Sequence, residues 1–252
     1  MDSQTPNVIE EFEKSLALKK EIILIYQMGK VGSCTVSNVL DMLEGFAAFQ
    51  VHNLNYKYIE QNPGIYGAEL GKIIYNKIIE KELPLKIISM ARSPIERNIS
   101  AYFQNLHAEK LRLDVDFLIN DFLVNYFHFV PLRWFDNEFN PVTGIDIYSQ
   151  PFDHIKKYDV MKKEPFQVLL WRTDLSNDLK EKVLSDFLGI ENIHFEDNNV
   201  SATKKYSDKY REFVKNFHPD KEYLDKMLDS QYTRHFFSSE EIQQLYKKWE
   251  NK

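Results

Sequence analysis

The sequence predicts an α/β fold of three layers, with a central, mostly parallel sheet flanked by helices. Three observations carry that prediction. Short apolar runs at 22–26 (IILIY), 84–90 (PLKIISM) and 165–171 (PFQVLLW) each stop at polar residues, the last two opening on a proline, which is how strands buried on both faces read. Stretches of helical period fill the intervals, and strands alternating with helices make a parallel sheet covered on both faces. The first run passes through a glycine-containing turn straight into a helix-like stretch, and in such sheets ligands bind beyond the carboxyl ends of the strands.

Each element has its own warrant. Val8, Ile9, Phe12 and Leu16 recur at helical spacing and predict a helix over 7–20. The strand 22–26 is followed by a helix over 33–46 (SCTVSNVLDMLEGF), and 47–51 reads as a second strand. Helices are expected over 69–82, ahead of the strand 84–90, and over 94–109 and 115–129 after it. The segment 136–165 is rich in turn signals and reads as irregular or partly β-hairpin, and 196–210 is polar with few apolar anchors, the expected mobile segment. Over 238–249 a closing helix starts at Ser238, with Glu241 three residues on as a capping box.

Composition sets the outer bounds. A chain of 252 residues, 43% hydrophobic and 14% aromatic, can bury a substantial core, and no composition break divides it, so residues 1–252 are expected to form one domain. A formal charge of −6 argues against a general nucleic-acid surface, which shows as a basic excess. No stretch has the order of a signal peptide or an apolar run long enough to span a membrane, so a soluble, cytoplasmic chain without membrane insertion is expected, an anchor upstream remaining open. Cys34 is the single cysteine and the seven histidines are scattered, so neither a disulfide nor a tightly bound metal is expected.

The turn after the first strand reads Gly29-Lys30-Val31-Gly32-Ser33-Cys34-Thr35. The first amides of the following helix have no partner within it, and with the helix dipole they favour an anion. Gly29 and Gly32 let the backbone approach closely, Lys30 brings positive charge, and Ser33 and Thr35 bring hydroxyls. A tight turn with an exposed lysine is the plain alternative. The turn makes the expected fold P-loop-like, yet it fails the nucleotide pattern G-x-x-x-x-G-K-[ST], because Lys30 precedes Val31-Gly32-Ser33 instead of a hydroxyl residue. No strand-terminal aspartate presents itself for Mg²⁺, so an ATP-dependent kinase is the second choice.

A second anion site follows the strand 84–90. Arg92 leads into Ser93, Pro94 and Glu96, which read as helix cap, first helical residue and capping-box acid. Ser100 lies seven residues past Ser93, about two turns at ~3.6 residues each, so it faces the same side. A guanidinium suits phosphate through paired hydrogen bonds. Alone, Arg92 would be a surface ion pair and Ser100 a helix-surface hydroxyl; together with the first turn they gain weight as anion contacts.

With both motifs in place the chain resembles the sulfotransferase superfamily, which uses 3′-phosphoadenosine 5′-phosphosulfate (PAPS). That family holds the 5′-phosphosulfate on a Lys-x-Gly-[ST] loop and the 3′-phosphate on an Arg followed eight residues later by Ser; here these are Lys30-Val31-Gly32-Ser33 and Arg92 with Ser100. The resemblance implies that Gly29, Lys30, Val31, Gly32, Ser33, Cys34 and Thr35 surround the 5′ group. Cys34 stands where many relatives carry Ser or Thr, leaving its backbone N–H for use. The stretches WFDNEFNPVTGIDIYSQPF and SQYTRHFFSSEEIQQLYKKW also resemble a bacterial group of capsular polysaccharide synthesis proteins. At the end of VLLWRTDL, Arg172 and Asp174 read as a structural ion pair.

The implied reaction moves a sulfuryl group from PAPS to a hydroxyl of a carbohydrate, leaving adenosine 3′,5′-bisphosphate. Lys30 is expected to neutralise the leaving phosphate. His52, just past the expected second strand, is the proposed base, as some carbohydrate sulfotransferases carry a histidine there; a structural histidine is the alternative, and Glu69 or Asp116 could serve instead. Arg133 and Trp134, in the aromatic segment 125–139, are expected to contact the acceptor unless that segment is core. Lys204 and Lys205 are expected to close over the 3′-phosphate unless they form a solvated pair. A non-catalytic protein of polysaccharide assembly is the reading from another class.

Overall fold

The computed structural model describes residues 5–62, 64–195 and 206–250. In chain order these form α1 (Thr5–Ala17), β1 (Glu21–Tyr26), α2 (Ser33–Leu40), β2 (Phe46–Val51), α3 (Tyr56–Gln61), α4 (Ala68–Ile74), β3 (Leu85–Ala91), α5 (Pro94–Asn105), α6 (Val115–Asn125), α7 (Val130–Trp134) and α8 (Asn140–Thr143). There follow β4 (Tyr158–Lys163), β5 (Phe166–Arg172), α9 (Asn177–Leu188), α10 (Ser207–Asn216), α11 (Lys221–Leu228), α12 (Gln231–Phe236) and α13 (Ser239–Glu250). Wider, π-helical winding continues α4 over Tyr75–Ile79 and joins α7 to α8 over Phe135–Phe139. The residues group into two compact units, one of Met1–Ala91 with Trp134–Glu196 and one of Arg92–Arg133 with Asp197–Lys252, so far as they are described.

The first unit holds the sheet, in the order β2-β1-β3-β5-β4. The four strands from β2 to β5 run parallel, and β4 closes the edge antiparallel to β5, with Tyr158 opposite Trp171 and Lys163 opposite Phe166. Central position explains composition: in β1, Ile22 to Tyr26 are all buried, and so are Ile87 to Ala91 in β3. Edge strand β4, YDVMKK, keeps no fully buried residue, and charged side chains on an edge discourage pairing with another chain.

The second unit contains no strand among its described residues. Its core gathers Ile99, Phe103, Leu118, Phe122, Phe213, Phe217, Leu224 and Trp249 from α5, α6, α10, α11 and α13. Phe122 is the hub, with ring centroids 4.6 Å from His128, 5.3 Å from Tyr102 and 5.4 Å from Phe217.

The expected sheet-dominated, P-loop-like three-layer fold is therefore corrected. The chain is mostly helical, 55% helix against 14% strand, with a small mixed sheet of five strands. The reason is physical: the helices around Phe122 bury their apolar stripes in a core of their own, and alternation of strand and helix along the chain does not say which core a helix joins. Two local expectations also change. Residues 136–143 are helical where irregular chain was expected, while the rest of that segment is largely irregular up to the β4–β5 hairpin, as expected. Helix α6 stops at Asn125 instead of 129, because His128 turns back and its Nε2 donates to the Phe122 carbonyl at 2.8 Å.

Candidate functional site

In the first unit the site grows from the end of β1. Gln27 is fully buried; its N–H donates to the Val51 carbonyl at 3.2 Å, and its side-chain oxygen accepts from the Gly29 N–H. Its other side-chain atom, Nε2, is a buried donor with no hydrogen-bond partner among the described residues. The next residues turn sharply: Gly29 (φ 80°), Lys30 (φ 65°) and Gly32 (φ 83°) are all left-handed. That conformation costs a residue with a Cβ about 1–2 kcal/mol, so Lys30 is held there by its surroundings. Successive turn amides of this kind point into a concavity that suits an anion.

Helix α2 begins at Ser33 with Gly32, which has no side chain to offer its first amides, in the capping position. Gly32 and Cys34 are exposed, Lys30 and Thr35 half-buried, and Val31 and Ser33 turn inward. Val31 can therefore meet a ligand only through its backbone.

His52, just after β2, is half-buried and its Nδ1 lies 2.8 Å from the Gln27 carbonyl. A carbonyl can only accept, so Nδ1 carries a proton and Nε2 is the other ring nitrogen. The chain around it is fastened to the helical residues 134–138. Trp134, expected at the acceptor, is buried, and its indole N–H donates to the His52 carbonyl at 3.1 Å. Glu138 Oε1 accepts from the Leu54 N–H, from the Asn55 N–H at 2.7 Å and from the Tyr26 hydroxyl at 2.8 Å. Burial pushes the Glu138 carboxyl above its usual range even though these donors oppose the shift. Arg172 and Asp174 form the expected ion pair, Nε to Oδ1 at 2.9 Å and Nη2 to Oδ2 at 2.6 Å, which Lys157 joins at 2.8 Å.

In the second unit Arg92 is gripped through its backbone. The buried Tyr232 hydroxyl accepts from the Arg92 N–H at 3.0 Å and donates to the Arg92 carbonyl at 2.9 Å. Glu96 stands 3.7 Å from the guanidinium and also pairs with Lys248. The expected capping box at Ser93 and Glu96 is not formed: the Ser93 side chain makes no cap bond, and the Glu96 carboxylate faces these cations instead. The Ser93 hydroxyl is buried without a hydrogen-bond partner among the described residues. Ser100 is half-buried on α5. At 238, by contrast, the capping box forms as read, Ser238 N–H to Glu241 at 2.9 Å and Glu241 N–H to Ser238 Oγ at 3.3 Å.

Arg133 is exposed, its guanidinium 4.7 Å from the centre of the Phe129 ring. Glu69 and Asp116 are both exposed, on α4 and α6. Lys204 and Lys205 lie outside the described residues. The structure thus brings Gly29–Thr35 and His52 together in one unit, with Gln27 between them, while Arg92, Ser100 and Arg133 belong to the other. Sequence reasoning missed Gln27, Glu138 and Tyr232. Of these only Glu138 leaves a trace in the sequence, as an acid at helical spacing between Phe135 and Phe139.

Among the described residues no group of acids, histidines and cysteine is arranged to hold a metal ion, and no helix is long and apolar enough to cross a membrane. A cavity of about 330 Å³ in the first unit opens at the other ends of the strands, lined by Leu16, Ile22, Ile78, Leu85, Lys20 and Lys86.

A family model described as putative capsular polysaccharide synthesis protein matches residues 130–238. The match spans less than half of the chain and includes Trp134, Glu138, Arg172 and Tyr232, but neither the turn 29–35 nor Arg92. Over that segment the chain is similar to proteins of polysaccharide synthesis. No curated protein and no solved structure matches it.

Proposed function

We propose that this chain is a sulfotransferase that moves a sulfuryl group from PAPS to a hydroxyl of a carbohydrate acceptor. The observation that carries the reading is the turn at 29–32, with three left-handed residues ahead of a helix start capped by glycine. Within the first unit, the buried Gln27 Nε2 lacks a hydrogen-bond partner among the described residues, and a buried polar group left so costs about 1–3 kcal/mol, which an anionic oxygen would offset. PAPS, when bound, supplies a sulfuryl group already activated by a phosphate leaving group.

The remaining work falls to the chain. Lys30 and the amides of Ser33 to Thr35 balance negative charge at the turn, the kind of fixed electrostatic stabilisation that is worth most away from water. Arg92 and Ser100 are the residues proposed for the 3′-phosphate, with Lys204 and Lys205 as further cations. His52 takes the acceptor proton at Nε2 while its Nδ1–H stays on the Gln27 carbonyl. Arg133 is the proposed acceptor contact. The family match supports a polysaccharide as the acceptor class.

Titration calorimetry with adenosine 3′,5′-bisphosphate, and separately with ATP and Mg²⁺, tests this reading. Bisphosphate should bind, and Arg92→Ala should weaken it more than tenfold. Tighter binding of ATP and Mg²⁺ would instead favour a kinase. Bisphosphate binding without transfer of labelled sulfate to any of a broad panel of polysaccharides would favour a non-catalytic role in polysaccharide assembly.

A further inference from the structure

Four residues, 52–55, connect β2 to α3 without regular structure, and this connection carries the His52 imidazole. Such a segment holds one conformation only if its backbone groups find fixed partners. Three of these groups find theirs on one helical stretch. Trp134 takes the carbonyl of residue 52. Glu138 takes the amides of residues 54 and 55, and the Asn55 side chain donates to the Asn137 carbonyl at 2.9 Å. The same Glu138 oxygen accepts the Tyr26 hydroxyl from the last residue of β1, one position before Gln27, whose carbonyl holds the His52 ring. One buried carboxylate therefore ties together the strand that leads to the turn and the segment that carries the imidazole.

A carboxylate is a costly way to fill that position. Glu138 is only 4% exposed, and a buried charge loses its hydration, whereas an apolar side chain of similar volume often serves stability as well or better. Three donors converging on one oxygen are what a charged acceptor accommodates and a neutral one holds less tightly. The acid also sits in the π-helical winding over Phe135–Phe139, a deviation found frequently at functional sites.

We infer that Glu138 is a positioning residue for His52: by gathering the Leu54 and Asn55 amides and the Tyr26 hydroxyl it fixes the direction in which the imidazole Nε2 points. This rests on the reading of His52 as the base, and the test separates the two.

The full chain and its Glu138→Gln variant, which keeps size and removes charge, are compared by three measurements. These are the NMR signals of the His52 ring, identified by their loss in His52→Ala, bisphosphate affinity, and the transfer rate against pH. Glu138→Gln should shift the His52 signals, leave bisphosphate affinity within threefold, and lower the maximal rate on the order of 10- to 100-fold at unchanged acceptor KM, the scale expected for a misplaced catalytic group. Glu138→Asp should recover part of the rate. Trp134→Phe, which frees only the residue 52 carbonyl, should move the same signals less, and it serves if Glu138→Gln fails to fold. His52 signals unmoved in both variants would overturn the inference, as would a loss of stability with the rate and its pH profile unchanged. If the parent binds no bisphosphate, the proposed function falls, while the NMR comparison still decides whether Glu138 sets the histidine.

Discussion

Tyr232→Phe removes one oxygen and leaves the ring, which packs 4.9 Å from Phe236, in place. That oxygen bonds the Arg92 backbone twice, accepting from N–H at 3.0 Å and donating to the carbonyl at 2.9 Å. Each bond contributes about 0.5–1.5 kcal/mol net, and a group left unsatisfied in a buried setting costs about 1–3 kcal/mol. Tyr232 is fully buried, so water does not readily take the place of the hydroxyl. The two bonds together put the loss at about 1–3 kcal/mol. Urea unfolding followed by circular dichroism reads the total, and amide exchange by mass spectrometry should place the added exchange in α5 and α12. Because Arg92 is the residue proposed for the 3′-phosphate, bisphosphate affinity should also fall several-fold. A stability loss below about 0.5 kcal/mol, too small for even one ordinary hydrogen bond, would refute the idea that Tyr232 clamps the start of α5.

Phe122→Ala should cost about 3–5 kcal/mol, the range for a fully buried aromatic, and a urea-derived loss of about 1 kcal/mol would mean that Phe122 is not the hub of the helical core. Burial, helped by Lys226 and opposed by the bond to Phe122, lowers the His128 pKa below its ordinary value. The unfolded chain then binds the proton first as pH falls, so stability should be full above about 6.5 and decline below it until the folded group also titrates. Urea titrations from pH 7.5 to 5 should show that slope, weakened in His128→Gln. Lys30→Gly relieves a left-handed Cβ while loosening the unfolded chain, so stability should hold or rise by up to about 1 kcal/mol. Sulfuryl transfer in the same variant should fall on the order of 10²–10³-fold; labelled PAPS and thermal melts read both, and retained transfer would remove Lys30 from the reaction.

The strands of the sheet were legible because buried parallel strands write continuous apolar runs: IILIY, KIISM and FQVLLW fall within a residue or so of β1, β3 and β5. Strand β4 left no such trace, since an edge strand with a solvent face admits Lys162 and Lys163. Helix periodicity was legible too, but not its destination. The apolar stripe of α6 reads the same whether it packs on a sheet or on Phe213 and Phe217, and only the folded chain shows the latter. Caps behaved likewise. The pairing at Ser238 and Glu241 is made within the local chain and was readable, whereas Glu96 is drawn off by Lys248 from 152 residues away.

The site divides along the same line. Glycines at 29 and 32 announce the turn because left-handed backbone favours them, but nothing in the sequence marks Lys30 as left-handed. Tyr232 and Arg92 meet across 140 residues and Tyr26 and Glu138 across 112, distances over which no local pattern reaches. Even so, Glu138 had a signal. Phe135, Glu138 and Phe139 stand at the spacing of one helix face, and Phe135 and Phe139 are both buried, so the acid between them is carried inward by its neighbours. A carboxylate driven into that setting must find donors or protonate, and the nearest unsatisfied donors are those of irregular chain. An acid inside an aromatic helical stripe thus points to a loop that needs holding, and here that loop carries His52.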